Sequence, residues 1–469
     1  MNKYSTNAIL RKVPAAIPLF SALFLFSPCV RADLWSTAYY PGWVQSSLAA
    51  SNVDFTALSH VIHFSTVPNS NGSLDSSANS LTVGNSSDVV TRGHAAGKKV
   101  LFCVGGAGSQ SGFQGATSAA NLSKFVTNLV NLMVARSYDG IDLDWEPLPS
   151  TDFAQFTNLV NSLRTALNGF TPPKLLTAAV SAYPVFGESA APYYAMFVAL
   201  QGKFDQINVM TYDLSGAYGG WVTWFNAPLY NGGLLFPGTS RLVPSTEEAV
   251  SNFIAGGVAP GKLGIGIAFY GWRWSGGAGT STGGAALPRQ SWTTAPTAAG
   301  DVTFNDIMTT YYQSNLYHWD TNAQAAYLSI DNTGSANDKF ISYDDAHTCQ
   351  AKVSYARNRG LGGVMIWELG SGYRPTQPAG ARDPLLQAVK QSLATPRITR
   401  VEMGEQSVQI NFTSLPLANY RIQSKSNLPD GAWSTLSNNI PGTGGTLQIT
   451  DPVVITNPPG RFYRVQTPP

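Results

Sequence analysis

Four acidic residues lie within one short segment of the 469-residue sequence, residues 139–146, which reads DGIDLDWE. As a β-strand, this segment places Asp142, Asp144 and Glu146 on one face, because side chains alternate along a strand. Burial and like charge both raise carboxyl pKa values, so we expect at least one of the three to be protonated. A protonated carboxyl can act as a general acid. The alternative is a cation site, but no histidine joins the cluster, and we expect neither a metal nor a cofactor.

The position of all three acids on one strand limits the reactions that they can catalyse. A typical retaining glycosidase uses two carboxyl groups about 5 to 5.5 Å apart that flank the anomeric carbon. Acids stacked along one strand do not easily reach both faces of that carbon. A 2-acetamido group of the substrate can supply the missing nucleophile through its carbonyl oxygen. Glu146 would then act first as acid and later as base, with Asp144 orienting and stabilising the acetamido nitrogen.

Eight short runs of apolar and β-branched residues alternate with helix-length segments from residue 33 onward. The runs are 34–40, 60–66, 98–104, 138–146, 174–181, 204–212, 262–269 and 361–368. This alternation predicts an α/β fold, a (β/α)8 TIM barrel over residues 33–395, with a doubly wound sheet as the alternative. The acidic segment is the fourth strand, so Glu146 is expected at its carboxyl end, where the active sites of such barrels lie.

Two further regions depart from the barrel pattern. The gap between the seventh and eighth runs is too long for one helix, which predicts a small α+β insertion at about residues 272–340. After residue 395, five short alternating strands predict a separate all-β, sandwich-like module at residues 396–469. Its Trp433, Tyr420 and Tyr463 form either a sugar-binding platform or part of its core. Trp221 and Trp224, after the sixth run, leave the same two possibilities open.

The amino-terminal 32 residues have the composition of a secretory signal peptide. Basic residues precede an apolar run over 13–30, and Ala32 closes a small-residue cleavage pattern. A membrane anchor is the alternative, but Pro14, Pro18 and Pro28 disfavour a spanning helix of about 20 residues. We therefore expect an exported protein, extracellular or, in a Gram-negative host, periplasmic. Two cysteines then remain, too few for a disulfide framework.

The charge balance excludes one class of partner. The formal net charge is +2, with 29 basic and 27 acidic residues. A nucleic-acid binder relies on a dense basic surface, so no nucleic-acid partner is expected. We expect a monomer with no membrane partner.

The sequence resembles glycoside hydrolase family 18, the chitinases, over about residues 33–390. The acidic segment matches the family motif DxxDxDxE, beginning at Asp139. Further matches are Ala38-Tyr39-Tyr40, Met210-Thr211-Tyr212-Asp213, residues 339–345 and residues 362–369. Two departures concern the site: Cys103 stands where the family often has serine, and Trp272 precedes Arg273 where the family usually has Tyr-Gly-Arg. A third is Gly370-Ser371-Gly372 in place of Ser-Gly-Asp.

The resemblance implies roles for five more residues. Tyr212 would hydrogen-bond the acetamido oxygen, Asp213 would contact the sugar, and Trp367 would stack beneath it. Met210 would line the pocket and Tyr39 would contact Asp142. The implied substrate is chitin or chito-oligosaccharides, hydrolysed with retention. The alternatives are an endo-β-N-acetylglucosaminidase acting on glycoprotein glycans and a non-catalytic chitin-binding lectin; the presence of Glu146 disfavours the lectin.

Overall fold

The chain divides into two compact units, Asp33–Lys390 and a second that contains the residues from Gln391 onward together with the amino-terminal segment. We analysed a computed structural model. It describes residues 6–10, 34–332, 337–394, 396–404, 407–414, 419–426, 432–452 and 461–466.

Eight parallel strands form a closed barrel in the first unit. Barrel strands one to eight are Trp35–Pro41, His60–Pro68, Lys99–Gly106, Gly140–Trp145, Leu175–Ser181, Gln206–Met210, Leu263–Ala268 and Gly363–Trp367. Each pairs in parallel with the next, and strand eight pairs with strand one. The predicted (β/α)8 barrel is confirmed and the doubly wound alternative is wrong. A two-residue strand, Leu74–Asp75, pairs antiparallel with the carboxyl end of strand two.

Helices follow the strands along the chain, and most of them pack against a barrel strand. They are Val83–Ala95, Gln110–Ala116, Leu122–Ala135, Phe153–Leu167, Ala190–Leu200, Thr246–Gly256, Ala346–Arg359, Leu369–Gly372 and Pro384–Leu393. Local sequence sets the ends of Ala346–Arg359: Asp345 and Thr348 form a capping box, and Gly360 ends the helix with a φ of 72°.

Barrel strand four is buried along its whole length, but its two faces meet different surroundings. Trp145 stacks on Phe113, with ring centroids 4.5 Å apart and planes 8° from parallel. It also meets the edge of Phe156 at 6.2 Å. Both phenylalanines lie on surrounding helices, so this face of the strand points outward. The alternation predicted from the sequence therefore directs Asp142 and Asp144 into the barrel.

The insertion between barrel strands seven and eight is a five-stranded antiparallel sheet. Its strands are Tyr270–Ser275, Thr297–Thr303, Tyr317–Asp320, Ala325–Ile330 and Lys339–Tyr343, with short helical segments Phe304–Asp306 and Ile307–Tyr311. The predicted α+β insertion is present. The sheet extends slightly beyond the predicted 272–340, because its first and last strands are direct continuations of the chain entering and leaving it.

The second unit contains two antiparallel sheets. One consists of Ile398–Met403, Val408–Thr413 and Thr446–Asp451, and the other of Asn419–Lys425, Ser434–Pro441, Arg461–Gln466 and Thr6–Leu10. Residues from both sheets share one apolar cluster, as in a sandwich. Tyr420 and Tyr463 are buried in the core, whereas Trp433 is half-buried with the Arg464 guanidinium 4.4 Å from its ring. The three aromatic residues therefore do not form a common platform.

Most of the predicted signal peptide lies outside the described residues. The exception is Thr6–Leu10, which pairs with Arg461–Gln466; a chain cleaved after Ala32 would lack this strand. In the part of the chain that is described, no helix is both long enough and apolar enough to span a bilayer. Cys103 and Cys349 are both free and buried.

Candidate active site

The carboxyl ends of the barrel strands surround a cleft of about 480 Å³. Of the residues predicted from the sequence, Tyr39, Asp144, Glu146, Met210, Tyr212, Asp213 and Trp367 all line it. Asp142 does not line the cleft, because it lies one strand repeat below Asp144 in the barrel interior. The structure thus brings all eight predicted residues to one end of the barrel, seven of them on the cleft surface.

Asp142 is held on both sides of its carboxyl group. The Tyr39 hydroxyl donates to Oδ2 at 2.7 Å, and the Thr177 hydroxyl donates to Oδ1 at 2.6 Å. Burial raises the pKa of Asp142 to about 6, although hydrogen bonds from Thr177, Tyr39 and Cys103 oppose this shift. Because each donor favours the ionised form, Asp142 remains the more acidic of the two buried aspartates.

Asp144 and Glu146 form a coupled pair above Asp142. Burial, the charges of Glu146 and Asp142, and a hydrogen bond to Glu146 raise the pKa of Asp144 well above its usual value. Burial also raises the pKa of the half-buried Glu146, opposed by the hydrogen bond from Asp144. Both shifts favour the protonated form of the pair at the floor of the cleft, which is the form that a general acid requires.

The Tyr212 hydroxyl has an unusually weak hydrogen-bond acceptor as its partner. It donates to Sδ of Met365 at 3.6 Å, and thioether sulfur is a weak acceptor. The ring is 7% exposed and belongs to the cluster of buried residues that Met210 packs against. A carbonyl oxygen placed in the cleft would be a stronger acceptor than this sulfur, so the hydroxyl is available to a substrate.

Asp213 follows barrel strand six. Its φ is 55°, a value that is uncommon for residues other than glycine. Its Oδ1 accepts hydrogen bonds from the Tyr270 hydroxyl at 2.6 Å and from Nε1 of Trp272 at 2.7 Å. Its backbone N–H donates to Asn226. Burial raises the pKa of Asp213, while both side-chain donors oppose the shift.

The contact between Trp272 and Asp213 accounts for the shift of Arg273 by one position from the Tyr-Gly-Arg pattern. Trp272 occupies the position that faces Asp213, whereas Arg273, the next residue on the strand, donates instead to the Tyr311 hydroxyl at 2.8 Å. Neighbouring residues of a strand point to opposite faces, so a shift of one residue changes the partner. In this chain Asp213 is held by two neutral donors.

Aromatic rings cover one wall of the cleft. Trp367 packs against Tyr39 and Phe64, with centroids 5.3 and 4.8 Å away. Trp43 meets the edge of Phe64 at 5.6 Å and is 45% exposed. Flat rings of this kind can pack against the apolar face of a sugar, and their mutual contacts fix their orientation.

Gly105, at the end of barrel strand three, permits a close approach to the acidic strand. A Cβ atom there would lie 2.0 Å from the backbone oxygen of Asp144, and the φ of Gly105 is +109°. The loop that follows carries Ser109, whose hydroxyl donates to the same Asp144 oxygen at 3.3 Å. The loop after strand three therefore supports the backbone that presents Asp144 and Glu146.

Sequence reasoning missed several residues of this site. They are Trp43, Phe64, Asn79, Ser109 and Thr177. For Thr177 a signal existed, because it is the fourth residue of the fifth apolar run, 174–181, and alternation along that strand directs it to the barrel interior. Phe64 lies within barrel strand two, at an irregularity in its pairing with strand three between His63 and Thr66. The other three lie outside the barrel strands, where alternation gives no guidance.

Other residues that the sequence analysis singled out lie elsewhere. Asp139, the first acid of the motif, precedes the amino-terminal end of barrel strand four and accepts from His94 and the backbone of Val100. Trp224 is fully buried and donates to the backbone of Pro244, so it is a core residue. Among the described residues, no group of three His, Cys, Asp or Glu side chains is arranged to hold a metal ion.

Comparison with known proteins gives consistent matches. The family described as "Glycosyl hydrolases family 18" matches residues 36–372. Chitinase A1 of Niallia circulans is 28% identical over 396 residues, which cover 75% of this chain and 54% of that protein. The chain thus spans about half the length of this curated relative.

Two solved structures have the same fold. Catalytic domain 2 of the Ostrinia furnacalis Group II chitinase is 25% identical, with a TM-score of 0.63, and covers 77% of this chain and 96% of that one. A family 18 N-acetylglucosaminidase from Paenibacillus barengoltzii is also 25% identical, with a TM-score of 0.61, and covers 77% and 100%.

Proposed function

The chain belongs to family 18 of the glycosyl hydrolases, and from that membership we propose that it is a chitinase. It hydrolyses β-1,4 links between N-acetylglucosamine units of chitin or chito-oligosaccharides, and it retains the anomeric configuration. The relatives named chitinases support this substrate, and the aromatic wall and acidic floor of the cleft fit a neutral amino-sugar polymer.

In the proposed mechanism the proton of the acidic pair passes from Asp144 to Glu146 once the substrate is bound. Glu146 delivers it to the glycosidic oxygen while the substrate's acetamido oxygen attacks the anomeric carbon and the bond to the leaving sugar breaks. Asp144 accepts a hydrogen bond from the acetamido N–H and stabilises its developing positive charge, and Tyr212 donates to the acetamido oxygen. Glu146 then removes a proton from the water that opens the cyclic intermediate. Two displacements on opposite faces restore the starting anomer, and the proton that Glu146 gives up in the first step is regained from water in the second.

One observation carries this proposal: the buried pair formed by Asp144 and Glu146. The Oδ1 atom of Asp144 is buried without a hydrogen-bond partner among the described residues. An unsatisfied buried acceptor is costly, and an acetamido N–H placed there would remove the cost. Burial raises the pKa of both carboxyl groups, which favours the protonated acid that the first step needs.

The test is the configuration of the first product released from a chitin oligomer, followed by nuclear magnetic resonance. The β-anomer is expected, and an oligomer lacking the acetamido group at the cleavage site should not react. Initial release of the α-anomer would refute substrate assistance. Asp213 would then be the first candidate for a second acid, since it is the remaining carboxyl group on the described cleft surface.

The Glu146→Gln variant is the matched control for that assay. The amide keeps the shape of the side chain but cannot deliver a proton, and general acid–base groups contribute about 10²- to 10⁴-fold in rate. Oligosaccharide binding should persist, which also distinguishes an enzyme from a lectin. Unchanged turnover would show that Glu146 is not the acid.

Substrate preference distinguishes a chitinase from an enzyme that cleaves glycoprotein glycans. Hydrolysis of a high-mannose glycopeptide faster than chitin pentamer would favour an endo-β-N-acetylglucosaminidase. The α+β insertion, which follows barrel strand seven beside Asp213, favours a longer binding cleft and hence the polymer.

We also propose that the protein is exported after cleavage behind Ala32. The basic residues, apolar run and small-residue ending of the first 32 residues support this. Mass analysis of the secreted protein should find Asp33 as the amino terminus, and retention of the segment would favour the membrane-anchor alternative.

A further inference from the structure

The inner aspartate of the site has a hydrogen-bond partner that the sequence analysis did not assign. Asp142 pairs in register with Cys103 on barrel strand three and with Thr177 on barrel strand five. The three side chains therefore occupy one level of the barrel, with Asp142 in the middle. On one side the neighbour is a thiol, a weak donor, and on the other it is a hydroxyl.

We propose that Thr177 is the positioning residue that keeps Asp142 ionised, in place of a hydroxyl on barrel strand three. This inference rests on the proposed function only for its effect on catalysis, since the hydrogen bond exists without substrate. Thr177 touches neither the cleft nor the reacting atoms. It acts through Asp142, whose negative charge raises the pKa of the neighbouring Asp144.

The geometry supports this assignment on three counts. The contact between Thr177 Oγ1 and Asp142 Oδ1 is 2.6 Å, short enough for a charge-assisted hydrogen bond. Both residues are 0% exposed, so water does not replace the donor. Tyr39 already uses the other oxygen, Oδ2, so removal of the Thr177 hydroxyl takes away the hydroxyl donor to Oδ1, and the thiol of Cys103 is the weaker donor that remains to this carboxyl group.

The surroundings of Asp142 make this donor important. The titratable groups that face it are Tyr39 on barrel strand one, Cys103 on strand three, Asp144 on its own strand, and Tyr212 after strand six. None of them carries positive charge. Hydrogen bonds are therefore what offsets the burial of the Asp142 carboxylate.

Loss of the Thr177 hydrogen bond shifts the pKa of Asp142 in one direction. Without the Thr177 hydroxyl the pKa of Asp142 rises from about 6, so Asp142 takes up a proton at higher pH. A hydrogen bond to a charged group is worth about one to two pH units in this shift. If ionised Asp142 is required for turnover, the acidic limb of the kcat/KM profile moves upward by the same amount.

The experiment compares Thr177→Val, which is nearly isosteric, with Thr177→Ser, which keeps the hydroxyl. The valine variant should move the acidic limb upward by about one unit or more, with kcat at the alkaline plateau nearly unchanged, and serine should restore it. A uniform loss of activity at every pH would mean that Thr177 only packs, and would overturn the inference.

A double variant tests whether a hydroxyl at position 103, on the other side of Asp142, restores the lost hydrogen bond. Adding Cys103→Ser to Thr177→Val places a hydroxyl on barrel strand three, and the acidic limb should move back toward that of the wild type. The matched control is Thr37→Val, because the Thr37 hydroxyl is also buried in the barrel, at 2.7 Å from Gln206 Oε1. It should lower stability without shifting the limb; an equal shift in this control would overturn the inference.

One readout needs no substrate. Carbon-13 resonance titration of aspartate carboxyl groups in the full-length protein should show the Asp142 transition at higher pH in Thr177→Val than in the wild type. An unchanged transition refutes the role of Thr177 whatever the enzyme hydrolyses. A shifted transition without activity on any oligomer would refute the proposed function but not this inference.

Discussion

Substitution of Lys352 by methionine should destabilise the barrel unit more than any surface charge change. Its ammonium group lies 2.5 Å from Oδ2 of Asp344, and the two side chains are 0% and 3% exposed. The same carboxyl oxygen accepts from the backbone N–H of Ala268, the last residue of barrel strand seven. The pair thus fastens the helix Ala346–Arg359 and the end of the insertion to the barrel.

The expected loss in the free energy of unfolding follows from the burial of this ion pair. Removing one partner of a buried ion pair leaves an uncompensated charge and costs about 3–5 kcal/mol. The Lys390→Met variant is the matched control, because Lys390 pairs with Asp54 at 2.8 Å where the side chains are 40% and 26% exposed. An exposed pair contributes about 1 kcal/mol or less.

The loss should also depend on pH. Burial raises the pKa of Asp344 even beside Lys352, and it rises further once the cation is removed. The folded variant then binds a proton that the unfolded chain, with an aspartate pKa of about 3.9, does not bind. Its stability therefore falls as pH rises above about 4, so the deficit against wild type is larger at pH 8 than at pH 5.

Urea unfolding followed by tryptophan fluorescence measures this effect, because only Trp433 of the eleven tryptophans lies beyond Lys390. The double variant Lys352→Met with Asp344→Asn should recover most of the loss, since the asparagine can still accept from Ala268. A loss below about 1 kcal/mol, or one that is equal at both pH values, would refute the reasoning from burial.

Three further outcomes are expected. Asp144→Asn should lower kcat on acetylated oligomers sharply and Tyr212→Phe more mildly, by about 1.5–3 kcal/mol for a hydrogen bond to developing charge; equal rates would remove both from the mechanism. Trp272→Phe removes a donor to Asp213, so the pKa of Asp213 should rise and kcat/KM should fall about tenfold, with a shifted pH profile as the check. Deletion of residues 397–469 should leave hydrolysis of soluble oligomers nearly unchanged, and collapse of that activity would show that the barrel depends on the module.

The barrel could be predicted because its strands are buried on both faces and appear as continuous apolar runs. Barrel strand four also shows why the acids could be assigned to one face: Trp145 and Asp144 differ so strongly in polarity that alternation is unambiguous. By contrast, the strand Ser434–Pro441 was missed, because it has a polar, largely exposed sequence and lies at a sheet edge. Local sequence carries little signal for such a strand.

The missing site residues have a different cause. Thr177 and Asp142 are 35 positions apart, and their hydrogen bond depends on the register between two barrel strands. Trp43 reaches the cleft from a short helical turn after strand one, and it is held there by Phe64. Contacts of this kind depend on closure of the barrel and on loop conformation, which spacing along the chain does not encode.

Burial of the two free thiols among the described residues makes them natural reporters of local opening. Cys103 lies inside the barrel beside Asp142, and Cys349 lies on the helix that carries Lys352. A thiol reagent reaches either one only when its surroundings open, so labelling rates measure how often each region does so. In Lys352→Met, Cys349 should be labelled well before Cys103. Peptide mapping after a short labelling pulse would then locate where the barrel begins to come apart, with no introduced probe.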